Sequence, residues 1–375
     1  VADSLLEVGD HRVLYAADDL ASHPTAAALV AQLGFGDMIT PVQLSGRNLN
    51  WLGSTSTGQA LFVKKELGDQ SRGPSRTKTF FDWLDAAFYD TDLPVIRPLA
   101  MSADGYIQAY PAIHEGRTGQ QLAVAGELDT KMLEGVGSGL AWLHHRGQIE
   151  PSRHNAASPL PSSFGADAID VEIFHGMSAA QLEAWTIIHR QEELRLACVD
   201  LLLGDTEKTH VPMSTIHGDF RLDQLLAAPD SENTCWIIDW EEFGYGSIAR
   251  DLGSLAGDIL NVTVIGALYS KSGRIEDDID DLVATGVSRA SALIRAFVHG
   301  YFGRAQTLGS IRDSRALRAS IVRYAGWHQF DRLVTSSEGL IATAPAARAL
   351  AGIGHALIMD PEQFLPDFGL EVSSE

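Results

Sequence analysis

Two short apolar runs that each end on an acid constrain this 375-residue chain more than any other feature. The first lies in Thr215-Ile-His-Gly-Asp-Phe-Arg-Leu-Asp-Gln-Leu-Leu and the second in Trp236-Ile-Ile-Asp-Trp-Glu. Asp219 stands just after one run, Gln224 supplies an amide five residues on, and Asp239 closes the other run. Groups so spaced can converge on one divalent cation and one hydroxyl, which is the arrangement that phosphoryl transfer uses. A solvated acidic loop would need neither the flanking apolar runs nor the spacing.

The texture around these runs changes along the chain. Ala16 to Leu33 has helical spacing, and Pro41 to Glu66 breaks into the β-type runs PVQLSG, NLNWLG and ALFVKK, with Gly46, Gly53 and Gly58 between them, as an antiparallel meander would. Ser75 to Tyr89 places Phe81, Leu84 and Phe88 on one helical face with Ser75 as a cap. Two strands joined at Asp104-Gly105 follow, and this β-rich part ends near Ala112. Beyond it the pattern is mainly helical, with a stripe of Leu128, Met132, Val136, Leu140 and Leu143. Further helical patterns run over Ser178–Leu203, Ile279–Leu308, Ile311–Val334 and Pro345–Ile358, and PSRHNAASPLPSSFG reads as a linker. The expected fold is α+β and two-lobed: residues 1–112 form a small antiparallel β lobe with a leading helix, and residues 113–375 form a larger helical lobe.

Two glycine patterns mislead. Gly135-Val-Gly-Ser-Gly resembles a dinucleotide fingerprint but sits inside a helical stripe, where small residues serve close helix packing. Gly53-Ser-Thr-Ser-Thr-Gly58 has phosphate-loop spacing, yet Gln59-Ala60 follows it and leads into a strand, so it reads as a hairpin turn.

Composition narrows the partners. With 28 Lys plus Arg against 49 Asp plus Glu, the formal charge is −21, which opposes nucleic-acid binding. Cys198 and Cys235 form no metal-binding spacing and no disulfide framework. The first twenty residues carry acids where a signal peptide needs basic then apolar residues, and no run of about 18 uncharged apolar residues occurs. These features lead us to expect a cytoplasmic protein with no membrane partner.

HGDxxxxQ followed by IIDWE resembles the catalytic and metal loops of the aminoglycoside phosphotransferase and choline kinase group, relatives of protein kinases. The resemblance spans about Val42 to Leu260 and implies a protein-kinase-like fold using ATP and Mg2+. By position, Asp219 matches the catalytic aspartate, His217 the histidine that braces its loop, and Asp239 the metal-binding aspartate. Gln224 stands where the family has a metal-binding Asn, and Asp223 beside it could share that role. The phosphate-binding lysine falls on ALFVKK. With Lys64 in that role, Val63 turns to the apolar side and Phe62 shares the lysine's face against adenine; with Lys65, Lys64 would face the apolar side. Lys64 is the better fit.

Backbone amides from Gly46 to Asn48 would cover the phosphates, and the backbone from Ala109 to Ala112 matches the hinge that meets adenine. Asp251 matches an aspartate that braces the metal loop, while His144 and His145 read as packing or surface residues. The chain departs from the family in having no Glu between Glu66 and Glu115, where a helix glutamate usually holds the lysine; Asp82 and Asp85 are the acids available there. The implied acceptor is a hydroxyl-bearing small molecule or a precursor peptide. A fainter resemblance, carried by SGRN and LDQ, is to stand-alone kinases of lanthipeptide and thioamitide dehydration, which pair with a lyase. A nucleotide-binding pseudokinase scaffold is the reading from another class. Acceptor specificity is expected in His154–Leu203 and the C-terminal helices, with Glu183, Glu192, Glu193 and Asp331 as candidates for a cation and Arg190 and Arg195 for a peptide.

Overall fold

Alternating apolar residues separated by turn-forming glycines produce the sheet of the first unit. The computed structural model describes residues 20–44, 47–68, 73–87, 93–150, 169, 171–203, 211–229, 235–269, 279–309 and 314–371. The chain divides into two compact units, Val1–Ala86 with Val95–Glu115, and Ala87–Pro94 with Gly116–Glu375. Gly46, His154, Tyr89 and residues 16–19 of the first helical pattern lie outside the described residues.

In the first unit, β1 (Met38–Leu44), β2 (Leu49–Thr55), β3 (Ala60–Lys65), β4 (Ala100–Met101) and β5 (Ile107–Pro111) form one antiparallel sheet. Its order is β1-β2-β3-β5-β4. The register of β1 shifts between Ile39 and Val42, around Pro41, which has no N–H to give the ladder. Gly58, at φ 87°, turns β2 into β3; Gly53 to Thr55 are the end of β2 and residues 56–58 lie in the hairpin turn, so the segment leads from strand to strand. One face of the sheet is apolar: Trp51, Leu61, Val63, Ile107 and Ala109 pack with Ala26, Leu29 and Val30 of α1 (Pro24–Gln32). Ser75 starts α2 (Arg76–Ala87) by accepting from the Lys78 amide at 3.1 Å while its hydroxyl donates to Gly105 O at 2.8 Å.

The second unit opens with β6 (Arg117–Thr118), α3 (Gly119–Ala125) and α4 (Thr130–Ile149). Next come α5 (Val171–Gly176), α6 (Ala179–His189), α7 (Glu192–Leu203) and four short strands, β7 (Met213–Ile216), β8 (Leu225–Ala227), β9 (Cys235–Ile237) and β10 (Gly244–Ser247). It closes with α8 (Ile248–Tyr269), α9 (Ile279–Leu308), α10 (Arg315–Ser336) and α11 (Pro345–Met359). The strands form two small sheets, β10-β7 and β6-β8-β9.

Glycines set the close helix contacts. A Cβ on Gly137 of α4 would lie 2.2 Å from Phe297 O of α9, so the Gly135–Gly139 stretch is a packing feature, not a nucleotide loop. α8 is buried from Ile248 to Val264. Among the described residues it is the one helix long and apolar enough to cross a membrane, and 72% of its most apolar window is covered by the rest of the unit.

The helical pattern over Ser178–Leu203 is two helices, broken at Arg190-Gln191. Continuing the Ala184–Ile188 stripe would bury Gln191, Glu192 or Arg195; the break instead turns Leu194 and Cys198 into the core with Trp185, Trp327 and Phe330.

Candidate active site

β7 ends at Ile216, and the chain then makes a loop that only glycine permits. Gly218 has φ +91°, and a Cβ there would meet Glu242 O at 2.2 Å. His217 is buried, and its Nε2 lies 2.9 Å from Ile238 O. Donation through Nε2 leaves Nδ1 as the acceptor for the Asp219 amide, at 3.4 Å. His217 therefore ties the Asp219 loop to the segment that carries Asp239.

The same two segments meet again at Gln224, whose backbone O accepts from Ile238 N at 3.0 Å, extending the β8–β9 ladder by one pair. Gln224 and Asp239 are thus one residue out of register across adjoining strands. Asp239 has φ 66° and ψ 65°, a left-handed conformation uncommon for a residue with a side chain and typical of functional sites. An Asp carboxylate and a Gln amide are oxygen donors of the kind Mg2+ takes, one or two from protein with phosphate and water completing the shell, so these two residues would be the ones to hold it. Among the described residues no three His, Cys, Asp or Glu side chains gather to hold a metal by themselves.

Arg221 bridges two acids of the loop. Its Nη2 is 2.9 Å from Asp219 Oδ2 and 3.3 Å from Asp223 Oδ2. This fixes one oxygen of Asp219 and leaves Oδ1 without a hydrogen-bond partner among the described residues. Burial pushes the Asp223 carboxyl above the usual range; Arg221 opposes this, and the Asp258 and Asp219 charges add to it.

Two acids of α8 hold the loop from beneath. Asp251 accepts from His217 N at 2.8 Å and Gly218 N at 2.9 Å, and His144 Nε2 is 3.2 Å away. Its burial raises the carboxyl, but the His144 hydrogen bond and charge, with the His217 charge and the Gly218 amide, outweigh this and hold it below the usual carboxylate range. His144 meets the Tyr301 hydroxyl at 2.8 Å through its other nitrogen, so it is a buried partner of Asp251, as a packing role allows. Asp258 accepts from Leu222 N at 2.9 Å and pairs with His328 Nε2 at 2.9 Å. Sequence reasoning missed Arg221, Asp258 and His328. For Asp258 the signal was present, since it lies two helical turns from Asp251 on the same face.

In the first unit, Lys64 is buried, 8% exposed, on the sheet face opposite Val63. Phe62 shares that face and packs on Tyr110 of β5 with ring centroids 6.4 Å apart. Lys65 falls on the other side. The acids expected on α2 are not buried partners: Asp82 pairs with Lys78 at 2.8 Å and Asp85 with Arg97 at 2.5 Å, and both side chains are 62% exposed. The buried acid on Lys64's face is Glu66, which accepts from Thr77 Oγ1 at 2.7 Å and Gln108 Nε2 at 2.9 Å. Gln108 is the cross-strand neighbour of Lys64.

Of the expected hinge groups, Ala109 O already accepts from Leu99 N and Ala112 N donates to Ala60 O, so both are used within the sheet. The acceptor candidates disperse. Glu183 holds Thr343 and Arg348, and Glu192 pairs with Arg195 on α7. Asp331 is buried, pairs with Arg332 at 2.6 Å and adds its charge to those around Arg221.

Residues 39–273, more than half of the chain, match the model of the phosphotransferase enzyme family, APH. No curated protein sequence matches the chain. Solved structures similar in fold include an amicoumacin kinase, 12% identical with a TM-score of 0.54 over 92% of this chain and 94% of that one. A glucosamine kinase is 13% identical with a TM-score of 0.53 over 91% and 86%. A choline kinase from Cryptosporidium parvum is 12% identical with a TM-score of 0.51 over 90% and 92%. With its small antiparallel sheet unit and larger helical unit, the chain has the α+β bilobal, kinase-like fold and belongs to the phosphotransferase enzyme family.

Proposed function

We propose that this protein is an ATP-dependent kinase that phosphorylates a hydroxyl of a small molecule. The observation that supports the reading is the double tie at Ile238: its carbonyl is bound by His217 and its amide by the Gln224 carbonyl, which links the segment that carries Asp219 and Gln224 to the one that carries Asp239. Asp219 is the group that orients the acceptor hydroxyl and takes its proton at Oδ1. Arg221 holds the other oxygen, so the free one has a single direction. Asp239 and Gln224 would hold Mg2+, which neutralises phosphate charge when bound. Within the first unit, Lys64 and Phe62, which share one face of the sheet, are the residues suited to a phosphate and an adenine ring.

The similar structures include a glucosamine kinase bound to glucosamine and ADP and an amicoumacin kinase bound to AMP-PNP, which supports a nucleotide and a small acceptor. A net charge of −21 favours a cationic acceptor by attraction at a distance.

Calorimetry with ADP, with and without Mg2+, tests the metal site. Asp239→Asn should lose Mg2+-dependent binding, while Asp219→Asn should bind ADP normally and lose kcat by orders of magnitude. Unchanged Mg2+-dependent affinity in folded Asp239→Asn would remove the metal assignment. Phosphate transfer to a panel of amino sugars and amino alcohols tests the acceptor. Transfer only to a Ser/Thr-rich precursor peptide would replace the small molecule with a peptide substrate whose phosphate a partner lyase eliminates. ADP binding with no transfer to any acceptor would favour a scaffold.

A further inference from the structure

The catalytic loop is gripped at both ends by α8. Asp251 takes the amides of His217 and Gly218 before Asp219, and Asp258 takes the amide of Leu222 after it. Each carboxylate is buried and each is met on its other side by a buried histidine, His144 from α4 and His328 from α10. The Leu222 bond falls at the first residue of the 3-10 turn Leu222–Gln224, so it sets where that turn begins and where Gln224 is carried. Arg221, one residue earlier, holds Asp219 and Asp223.

The helix contact that delivers His328 is specific. A Cβ on Gly257, the residue before Asp258, would lie 2.6 Å from His328 Cβ and 2.8 Å from Ala325 O. Glycine there lets α10 approach closely enough for the histidine to reach the carboxylate. Gln329, next to His328, donates to Gly257 O at 2.8 Å and fixes the same crossing.

We propose that Asp258 and His328 are a positioning pair for phosphoryl transfer, with His328 donating from Nε2 to orient the Asp258 carboxylate onto Leu222 N and so aim Asp219 and Gln224. The inference rests on the reading of Asp219 and Gln224 given above. Neither Asp258 nor His328 touches substrate; they act through the loop.

Four variants test it, Asp258→Asn, His328→Leu, His328→Gln and Asp219→Asn, read by ATP turnover, by ADP affinity and by hydrogen exchange of the peptide containing Leu222. Asp258→Asn turns an amide N–H toward His328 Nε2, and His328→Leu fills the space without a donor. Both should lower kcat roughly 100-fold through loss of loop alignment, with ADP affinity changed less than about threefold, and both should speed exchange at Leu222. His328→Gln offers an N–H near the place of Nε2 and should keep kcat within about fivefold of the parent.

Unchanged kcat and unchanged Leu222 exchange in His328→Leu would overturn the proposal, and so would equal damage by His328→Gln and His328→Leu, which would make the histidine a space filler. If Asp258→Asn does not fold, the two His328 variants decide alone. Full turnover by Asp219→Asn would instead sink the reading of the loop, whatever the His328 variants do, while the exchange measurement still tests the grip on Leu222.

Discussion

At the residue scale, the two adjacent lysines of β3 differ only in facing, and that decides their chemistry. Lys64 lies buried on the face of Phe62 and Glu66, while Lys65 lies on the opposite, core side at the strand end. Lys64→Ala should therefore cut kcat/KM for ATP by at least about 100-fold, and Lys65→Ala should change it by less than about threefold. The reverse order in steady-state kinetics would mean that the strand faces the nucleotide with its other side. A second residue-scale prediction concerns acid. Burial raises the Asp258 carboxyl, but the His328 hydrogen bond and charge, Arg332 and the Leu222 amide outweigh it and bring it from 3.8 down to about 2. The unfolded chain thus binds this proton more readily than the fold does. The stabilisation is complete above about pH 4 and is lost as pH falls toward about 2. Denaturation across that window should be steeper for the parent than for Asp258→Asn; parallel curves would contradict the depressed value.

At the element scale, helix crossings and the catalytic turn depend on glycines that leave no room for a methyl. Gly137 lets α4 meet α9 at Phe297 O, and the neighbouring Tyr301 N would be 2.8 Å from an added Cβ. Gly137→Ala should destabilise the second unit by about 1–3 kcal/mol, measured as a lower denaturant midpoint at unchanged slope. Gly135, on the same stretch, has nothing within 4 Å of an added Cβ, so Gly135→Ala should be neutral or slightly stabilising. A similar loss in both variants would show that helix propensity and not the crossing is at stake.

At the scale of the whole molecule, the two cysteines report on folding. Cys198 sits in the core formed by α6, α7, α10 and α11, and Cys235 lies on β9. Both are buried and unpaired, and burial pushes each thiol up to about 12. Since the thiolate is the reactive form, iodoacetamide at pH 8 should leave both unmodified in the native protein and label both after unfolding in denaturant. Rapid labelling of Cys235 alone without denaturant would show that the β8–β9 segment opens independently of the helical core.

The sequence by itself determined the features that repeat over short distances. Strand alternation placed Val63 and Lys64 on opposite faces, helical spacing placed α9 and α11 within a residue at their ends, and the two acid-terminated runs marked Asp219 and Asp239. These follow from local periodicity and from the chemistry of neighbouring residues, which a linear chain displays openly. Only the tertiary structure decided the partners of the buried charges. His328 reaches Asp258 from another helix, His144 reaches Asp251, and Glu66, just past the end of β3, is buried where Asp82 and Asp85 of the helix are exposed. The break at Arg190-Gln191 belongs to the same class, because it depends on which side chains the core of the second unit can bury. A buried carboxylate must find donors wherever the fold brings them, and that meeting is set by how helices pack, which no run of neighbouring residues encodes.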